Sequence, residues 1–492
     1  MVALAAPAPE RAVDHIVVKF KPHVAGELGS NSLPRKLEIL LERLRLPSGA
    51  RLEEPAINHV LRARSANAPE RNELNLERFL YLRVPAGLSV DECVRRVAAN
   101  PSVEYAEPDG MGSGGLIPND PSFSSQWHHR NVAKPSASIQ TPLAWDMTQG
   151  TTNVIIAVLD SGLNATADSS GRVVAGYNFV SNNSNTADDH PAGHGTAVAA
   201  TVAASGNNGT LIAGVDWRCR VMPVKVLDDT GSGLYTWWAQ GIDFAVNNGA
   251  RIINLAAGGS GTSATLANSI NNAIAQGVIF VTITHNDGTN VIRFPGNLAT
   301  CITVGATDEQ DRRAGFSNYG PGIDLCAPGT NIYTIGASGS VGPWWGTSFA
   351  APQAAGVCGL MLSVRPNLNH EQARLLLCAG ADDAVGDGTD TPGFDNYYGW
   401  GRLNAYNSLI LAQTRVDRLQ WSNGLPVLSW RSPPNAANKQ PYQVDFQNTL
   451  TGSWTTVTSS SQFAYTTNRT SWTDTNGVST TRFYRVRLRG LP

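Results

Sequence analysis

Val154-Ile155-Ile156-Ala157-Val158-Leu159-Asp160-Ser161-Gly162 decides the fold of this chain. Its first six residues are apolar without alternation, and the run ends on a carboxylate and a glycine turn. A strand that is apolar on both sides must be covered on both sides, which is the condition of a parallel sheet clothed by helices. The same texture returns at 221–227, 252–255 and 278–283, interleaved with helix-like 196–204, 236–247 and 266–276. Such alternation predicts an α/β domain with a doubly wound parallel sheet over residues 116–412. Functional groups in such sheets gather at the carboxyl ends of strands, where Asp160 stands.

On either side of this region the texture changes. Residues 14–109 carry strand-like 16–20, 79–84 and 103–106 and helix-like 37–44 and 90–99, which predicts a small α+β unit. It closes on Gly-Met-Gly-Ser-Gly-Gly at 110–115, a flexible boundary open to cleavage, so the first domain is placed at 1–115. Beyond 412 the strands become short and rich in Thr, Ser and Trp, at 426–430, 442–446, 454–457 and 483–488. This predicts an antiparallel β-sandwich of immunoglobulin-like or fibronectin-like kind over 413–492.

A chain of 492 residues is long enough for two to four domains. With 15% charged residues and a net charge of -2, it offers no electrostatic footprint for nucleic acid or a membrane surface. Its apolar runs read as too short to cross a bilayer. The N-terminus lacks the basic start and apolar core of a secretion signal, so a secreted protein would have lost its signal before this sequence begins. The six cysteines, Cys93, Cys219, Cys301, Cys326, Cys358 and Cys378, show no paired spacing of a zinc or redox site. Cys301 and Cys358 read as buried small hydrophobes, and one disulfide among the last five stays open.

Two further segments carry polar residues suited to chemistry. Gly193-His194-Gly195-Thr196 puts an imidazole at a helix start, and Gly346-Thr347-Ser348-Phe349-Ala350-Ala351-Pro352 puts a hydroxyl at the start of an apolar helix. Helix starts carry free N–H groups and partial positive charge, which suit a developing oxyanion. Each residue alone has an ordinary structural reading: Ser348 as a cap, Asp160 as a turn residue, His194 as a loop histidine. Together they supply a nucleophile, a base near neutrality and a carboxylate to orient the base, which is the requirement of acyl transfer.

These segments, in the order Asp, His, Ser, resemble the subtilisin-like serine proteases, the subtilases. The likeness extends through 224–228, 231–233, 252–255, 304–306 and 316–320, about residues 119–410. The resemblance implies a serine endopeptidase acting on polypeptides, with no cofactor for the chemistry. Ser348 would be nucleophile, His194 general base and acid, Asp160 the group orienting His194, and Asn286 an oxyanion-hole donor. Gly231-Ser232-Gly233 and Ala256-Ala257-Gly258 would hold extended substrate between them as added strands. The family's structural calcium is a further expectation, with ligands unassigned because the loops holding Asp168 and Asn207 are altered.

The family pattern also breaks at Ile283-Thr284-His285, Ala197 and Gln353. His285 would occupy a wall of the primary specificity pocket and Arg293 a position near its base. Two basic groups there imply a preference for Glu or Asp before the scissile bond. The N-terminal unit resembles the family's inhibitory propeptide at 16–22 and 103–109, which implies a folding aid and intramolecular inhibitor cut off between Asp109 and Asp120. A secreted monomer is expected. Two other functions fit part of the sequence: a binding protein held permanently inhibited, and a general esterase.

Overall fold

The computed structural model describes residues 11–21, 51–53, 79–84, 90–110, 115–414, 418–422, 425–433, 441–447, 455–457, 463–465, 469–475 and 482–488. The expected helix at 37–44 and Trp454 lie outside them. The chain divides into two compact units, Met1–Gly114 and Gly115–Pro492.

In the first unit, four antiparallel strands run in the order Arg51–Glu53, Phe79–Arg83, Arg11–Phe20, Val103–Gly110, with one helix at Val90–Ala98. Among the described residues, Ile16, Val18, Cys93, Val97 and Val103 are its buried apolar ones. Alternation along Arg11–Phe20 puts Ile16 and Val18 on one face, where the helix supplies Cys93 and Val97.

The second unit is built on seven parallel strands. Their order is Leu325–Pro328, Ile302–Thr307, Ile279–Ile283, Ile252–Leu255, Ile155–Asp160, Arg220–Lys225, Tyr177–Asn178. The two faces bury different sets. Ile156 and Val158 join the core shared with helices His194–Ala203 and Thr347–Val364, whereas Ile155, Ala157 and Leu159 join the core under Tyr235–Asn247 and Ala264–Ala275. Every residue of Ile155–Asp160 is buried, which is why the sequence there could not alternate. The strands that follow it in the chain, Tyr177–Asn178 and Arg220–Lys225, lie on one side of it and the next, Ile252–Leu255, on the other, so its carboxyl end stands at the topological switch point.

Helix Thr347–Val364 corrects one expectation: with 18 residues it has the length and apolarity of a short membrane span. It is instead the central core helix, buried from Thr347 through Leu362. All six cysteines are buried and no disulfide joins any of them.

Residues beyond 412 form a four-stranded and a three-stranded antiparallel sheet. Trp430 of the first sheet meets Tyr442 of the second at 5.1 Å, and Trp472 meets Tyr484 at 5.8 Å. Leu428, Trp430, Tyr442 and Trp472 belong to the same apolar cluster as Leu409 and Leu411, so the residues beyond 412 pack on those before it. The Arg431 guanidinium also stacks on Tyr406, 5.2 Å from the ring centre. Burial of large aromatics at this seam makes the segment part of the second unit.

Candidate active site

Asp160 closes the central strand and is fully buried. Its Oδ1 accepts the Ser161 N–H at 2.8 Å and lies 2.7 Å from His194 Nδ1. His194 opens helix His194–Ala203, with its side chain 22% exposed and its ring 5.7 Å from that of Phe349. Burial disfavours the imidazolium, but the Asp160 carboxylate, and Asp188 beyond it, outweigh that cost, so the His194 pKa is raised above its ordinary value.

Gly193, at φ +75°, makes the turn that presents this histidine. A Cβ there would come within 2.3 Å of the Ala337 backbone, so no larger residue fits.

Two groups that sequence reading missed hold the frame. The buried Asp188 carboxylate accepts from Ser161 Oγ, Thr196 N and Thr196 Oγ1, each at 2.8 Å. It caps the histidine helix, whose N-cap glycine has no side chain for the task. Lys225 is buried, and its Nζ donates to the Ser161 and Leu227 carbonyls at 2.6 and 2.8 Å and to Asp189 at 2.7 Å. It ties the carboxyl ends of two neighbouring strands beside Asp160. The acidic pair just before Pro191-Ala192-Gly193-His194 was the available signal for the cap.

Ser348 is the second residue of its helix and 6% exposed. Its Oγ donates to the Ala256 carbonyl at 3.4 Å and has not closed onto the imidazole, a common state of a substrate-free site. Pro352 has no N–H to offer the Ser348 carbonyl, so the first turn is loosened where the hydroxyl sits. Asn286 Oδ1 accepts from Thr347 N and Thr347 Oγ1, both at 2.8 Å. That fixes the amide, leaving Nδ2 on the side of Gly346, where a Cβ would lie 3.4 Å from it.

Ser348, His194 and Asn286 line one cavity of about 470 Å³. Gly231-Ser232-Gly233 and Ala256-Ala257-Gly258 line the same cavity, and so does His285. Tyr235 and Trp238 join them, neither marked by the sequence reading.

Arg293 is the exception. It is not among the lining residues, and its guanidinium holds Asp287 in two bonds, Nε to Oδ2 at 2.8 Å and Nη2 to Oδ1 at 2.9 Å. His285 Nδ1 stands 3.1 Å from the same carboxylate. The Arg293 bond, with help from Asn318, keeps Asp287 well below the usual carboxylate range. The expected pair of basic groups facing substrate is therefore reduced to His285, because a neighbouring acid six residues away takes the arginine. Gly258 runs close beside both residues: a Cβ there would lie 3.2 Å from His285 and 3.3 Å from Arg293.

The loops expected to hold calcium carry a donor set that does not fit a cation. Asp168 accepts from Thr210 Oγ1, from Asn208 Nδ2 at 3.0 Å and from Ile212 N at 3.0 Å. Asp120 accepts from Asn207 N and Asn208 N at 2.7 and 3.1 Å, and Asn207 Oδ1 accepts from Asn119 N at 3.2 Å. These oxygens are turned toward protons of the chain itself, whereas a calcium ion needs six to eight oxygens turned toward it. Among the described residues no group of three or more His, Cys, Asp or Glu converges as a metal site.

Fold and site together define a class: a doubly wound parallel α/β protein with Asp, His and Ser, in that chain order, around a cleft at the switch point. The chain belongs to the subtilase family of serine proteases, whose profile matches residues 151–401, and the fervidolysin N-terminal prodomain profile matches residues 12–109. It is 35% identical to the thermophilic serine proteinase of Bacillus sp. strain AK1, over 70% of this chain and 81% of that one. It is 36% identical to thermitase of Thermoactinomyces vulgaris, over 59% of this chain and 99% of thermitase. A solved protease structure from Pseudoalteromonas arctica aligns with a TM-score of 0.55 at 32% identity, covering 61% of this chain and all of that one.

Proposed function

We propose that this subtilisin-like serine protease is an endopeptidase working through Ser348, His194 and Asp160, and that it is made as a zymogen. The observation that carries this reading is the 2.7 Å contact between His194 and a fully buried Asp160, in a cleft shared with Ser348 and Asn286. A peptide carbonyl entering the cleft displaces the Ser348 hydroxyl from Ala256, and His194 takes its proton as Oγ adds to the carbonyl carbon. The resulting O⁻ is met by the Ser348 N–H and Asn286 Nδ2. Collapse transfers the proton from His194 to the leaving amine, and water then repeats the sequence on the acyl-Ser348 ester. Asp160 keeps the imidazole in the required tautomer and stabilises its cation.

Substrate lies extended between 231–233 and 256–258, which suits polypeptides better than small esters. A preference for Glu or Asp before the scissile bond rests on His285, whose imidazole lines the cleft. Asp287 already holds Arg293, so His285 is the basic group left to it. The N-terminal unit acts as folding aid and inhibitor until the enzyme cuts it away within 109–120. The residues from 413 form a β-sandwich, and the mature enzyme is a secreted monomer. No ion is needed in the 207–212 loop, so a chelator leaves the melting temperature unchanged.

Fluorophosphonate labelling of the processed protein is the decisive experiment. Stoichiometric label on Ser348, absent in Ser348→Ala, is expected; an unlabelled Ser348 would return the chain to the class of inhibited binding proteins. Cleavage profiling in a peptide library tests the rest, and preference for large apolar residues at every pH removes the acidic preference.

A further inference from the structure

A closed circuit of hydrogen bonds joins Asp160 to His194 by a second route, through residues that do not touch substrate. The Ser161 N–H donates to Asp160 Oδ1 at 2.8 Å, the same oxygen that meets His194 Nδ1. The Ser161 hydroxyl donates to Asp188 Oδ1 at 2.8 Å and accepts the Gly195 N–H at 2.9 Å. Asp188 Oδ2 takes both the N–H and the hydroxyl of Thr196, which returns the circuit to the helix opened by His194. Asp160, Ser161, Asp188 and Thr196 are all more than nine-tenths buried, so water does not compete for these bonds.

Close packing leaves the circuit no slack. A Cβ on Gly195 would stand 2.3 Å from the Gly162 carbonyl oxygen and 3.1 Å from Asp160 Cβ, so the histidine helix starts hard against the 160–162 turn. A Cβ on Gly162 would meet the Ala187 carbonyl oxygen at 2.6 Å, which puts the segment carrying Asp188 on the same turn. Asn164 holds that segment down, donating to the Asp188 carbonyl at 3.0 Å and accepting its N–H at 3.1 Å. The neighbouring acid, Asp189, takes the Lys225 ammonium. The donors to the Asp188 carboxylate are neutral: Ser161, Thr196 and the His190 N–H.

We propose that Asp188 is a positioning residue for the reaction, acting through Ser161 to hold Asp160 and His194 at their mutual distance and adding a second carboxylate near the imidazole. The inference rests on the protease reading of Ser348. A helix cap needs only the two Thr196 bonds; the bond to Ser161 reaches past the helix to the residue beside Asp160. Burial works against a charged His194, and the Asp160 carboxylate, with Asp188 after it, reverses the sign. The third titratable group beside the imidazole is His190, its ring centre 6.1 Å away.

Two variants separate the parts of this role. Ser161→Ala breaks the link and keeps the charge. Its kcat for a peptide substrate should fall roughly 10- to 100-fold with KM little moved, and the acidic limb of kcat/KM should stay in place. Asp188→Asn keeps the shape and removes the charge. It should lose a similar factor in kcat and also move the acidic limb down in pH, by less than Asp160→Asn does. The double variant should lose little more than either single one, because both cut the same link. Circular dichroism and a cooperative melt identify the folded variants. Unmodified kcat and an unmoved limb in both variants overturn the proposal and leave Asp188 a helix cap, and a loss confined to KM does the same. Where Asp188→Asn does not fold, Ser161→Ala decides alone: full kcat overturns the proposal and a loss in kcat without KM supports it. An unmodified enzyme that takes no fluorophosphonate label on Ser348 is a different failure, that of the protease reading itself.

Discussion

His194 and His129 are both packed against an aromatic ring, Phe349 at 5.7 Å for one and Trp145 at 4.9 Å for the other. Both make a short bond at Nδ1, His194 to Asp160 at 2.7 Å and His129 to Thr141 Oγ1 at 2.8 Å. Their titration is driven in opposite directions. His194 is raised, whereas burial lowers His129 to about 3 even though its Nε2 reaches the Ala213 carbonyl. His128, against it at 4.2 Å, is also pushed well down by burial and by His129. A carboxylate in place of a hydroxyl separates a histidine whose charged form is favoured from one whose charged form is disfavoured. Geometry at Nδ1 is nearly the same; charge decides.

The largest effect should come from making His194 resemble His129. Asp160→Asn keeps the shape but removes the charge and the tautomer preference, and kcat for a peptide substrate should fall about 10⁴-fold. The acidic limb of kcat/KM should also move down in pH, because the carboxylate is what lifts His194 above its ordinary value. A pH–rate profile checks both, and an unmoved limb would mean that Asp160 does not set the His194 charge.

The next effect is on stability. A histidine whose folded pKa lies below its unfolded value contributes stability that is complete above about 6.5 and is lost as pH falls from there toward about 3. His129 alone should cost roughly 2 kcal/mol by pH 5, at about 1.36 kcal/mol for each pH step below 6.5. Denaturant unfolding of Ser348→Ala protein between pH 7 and pH 4 measures it without self-digestion. His129→Gln should flatten that dependence. Thr141→Val, which leaves His129 Nδ1 unpaired in the core, should lower stability at neutral pH by about 1–3 kcal/mol.

The smallest effect belongs to the exposed pair, where solvent mutes charge. Asp287 and Arg293 are 29% and 32% exposed, so Asp287→Ala should change stability by no more than about 1 kcal/mol. Its consequence is in selectivity: the freed Arg293 should raise cleavage after Glu relative to Leu. An unchanged Glu-to-Leu ratio would place Arg293 outside the specificity pocket altogether.

The sequence was most informative where a segment had no second way to fold. Ile155–Asp160 had to be a buried strand because no alternation offered a wet face, and Asp160, His194 and Ser348 each stood at the end or start of a legible element. Asn286 and the two edge segments could be placed through the family's pattern. The sequence could not reveal that Asp287 would take Arg293, since the pairing depends on how a loop folds back on itself. It also held no sign that His128 and His129 are core residues, because adjacent histidines in a loop carry no periodicity. The seam at 412 was hidden for a similar reason: a change of texture marks a change of architecture, but apolar contacts across it decide whether the parts are separate. Trp344 has no signal in the sequence, because only the hairpin of strands Ile332–Ile335 and Val341–Trp344 gives it a cavity to line.

The six buried thiols have a practical meaning. With no disulfide to break, a reducing agent is expected to leave the melting temperature unchanged. The same thiols make a clock. Burial pushes the Cys219, Cys301, Cys326 and Cys358 thiols above their ordinary range, so an alkylating reagent meets a reactive thiolate only when the core opens. Cys358 sits on helix Thr347–Val364, which carries Ser348. The rate at which it is modified therefore counts the excursions of the enzyme's own central helix out of its packed state.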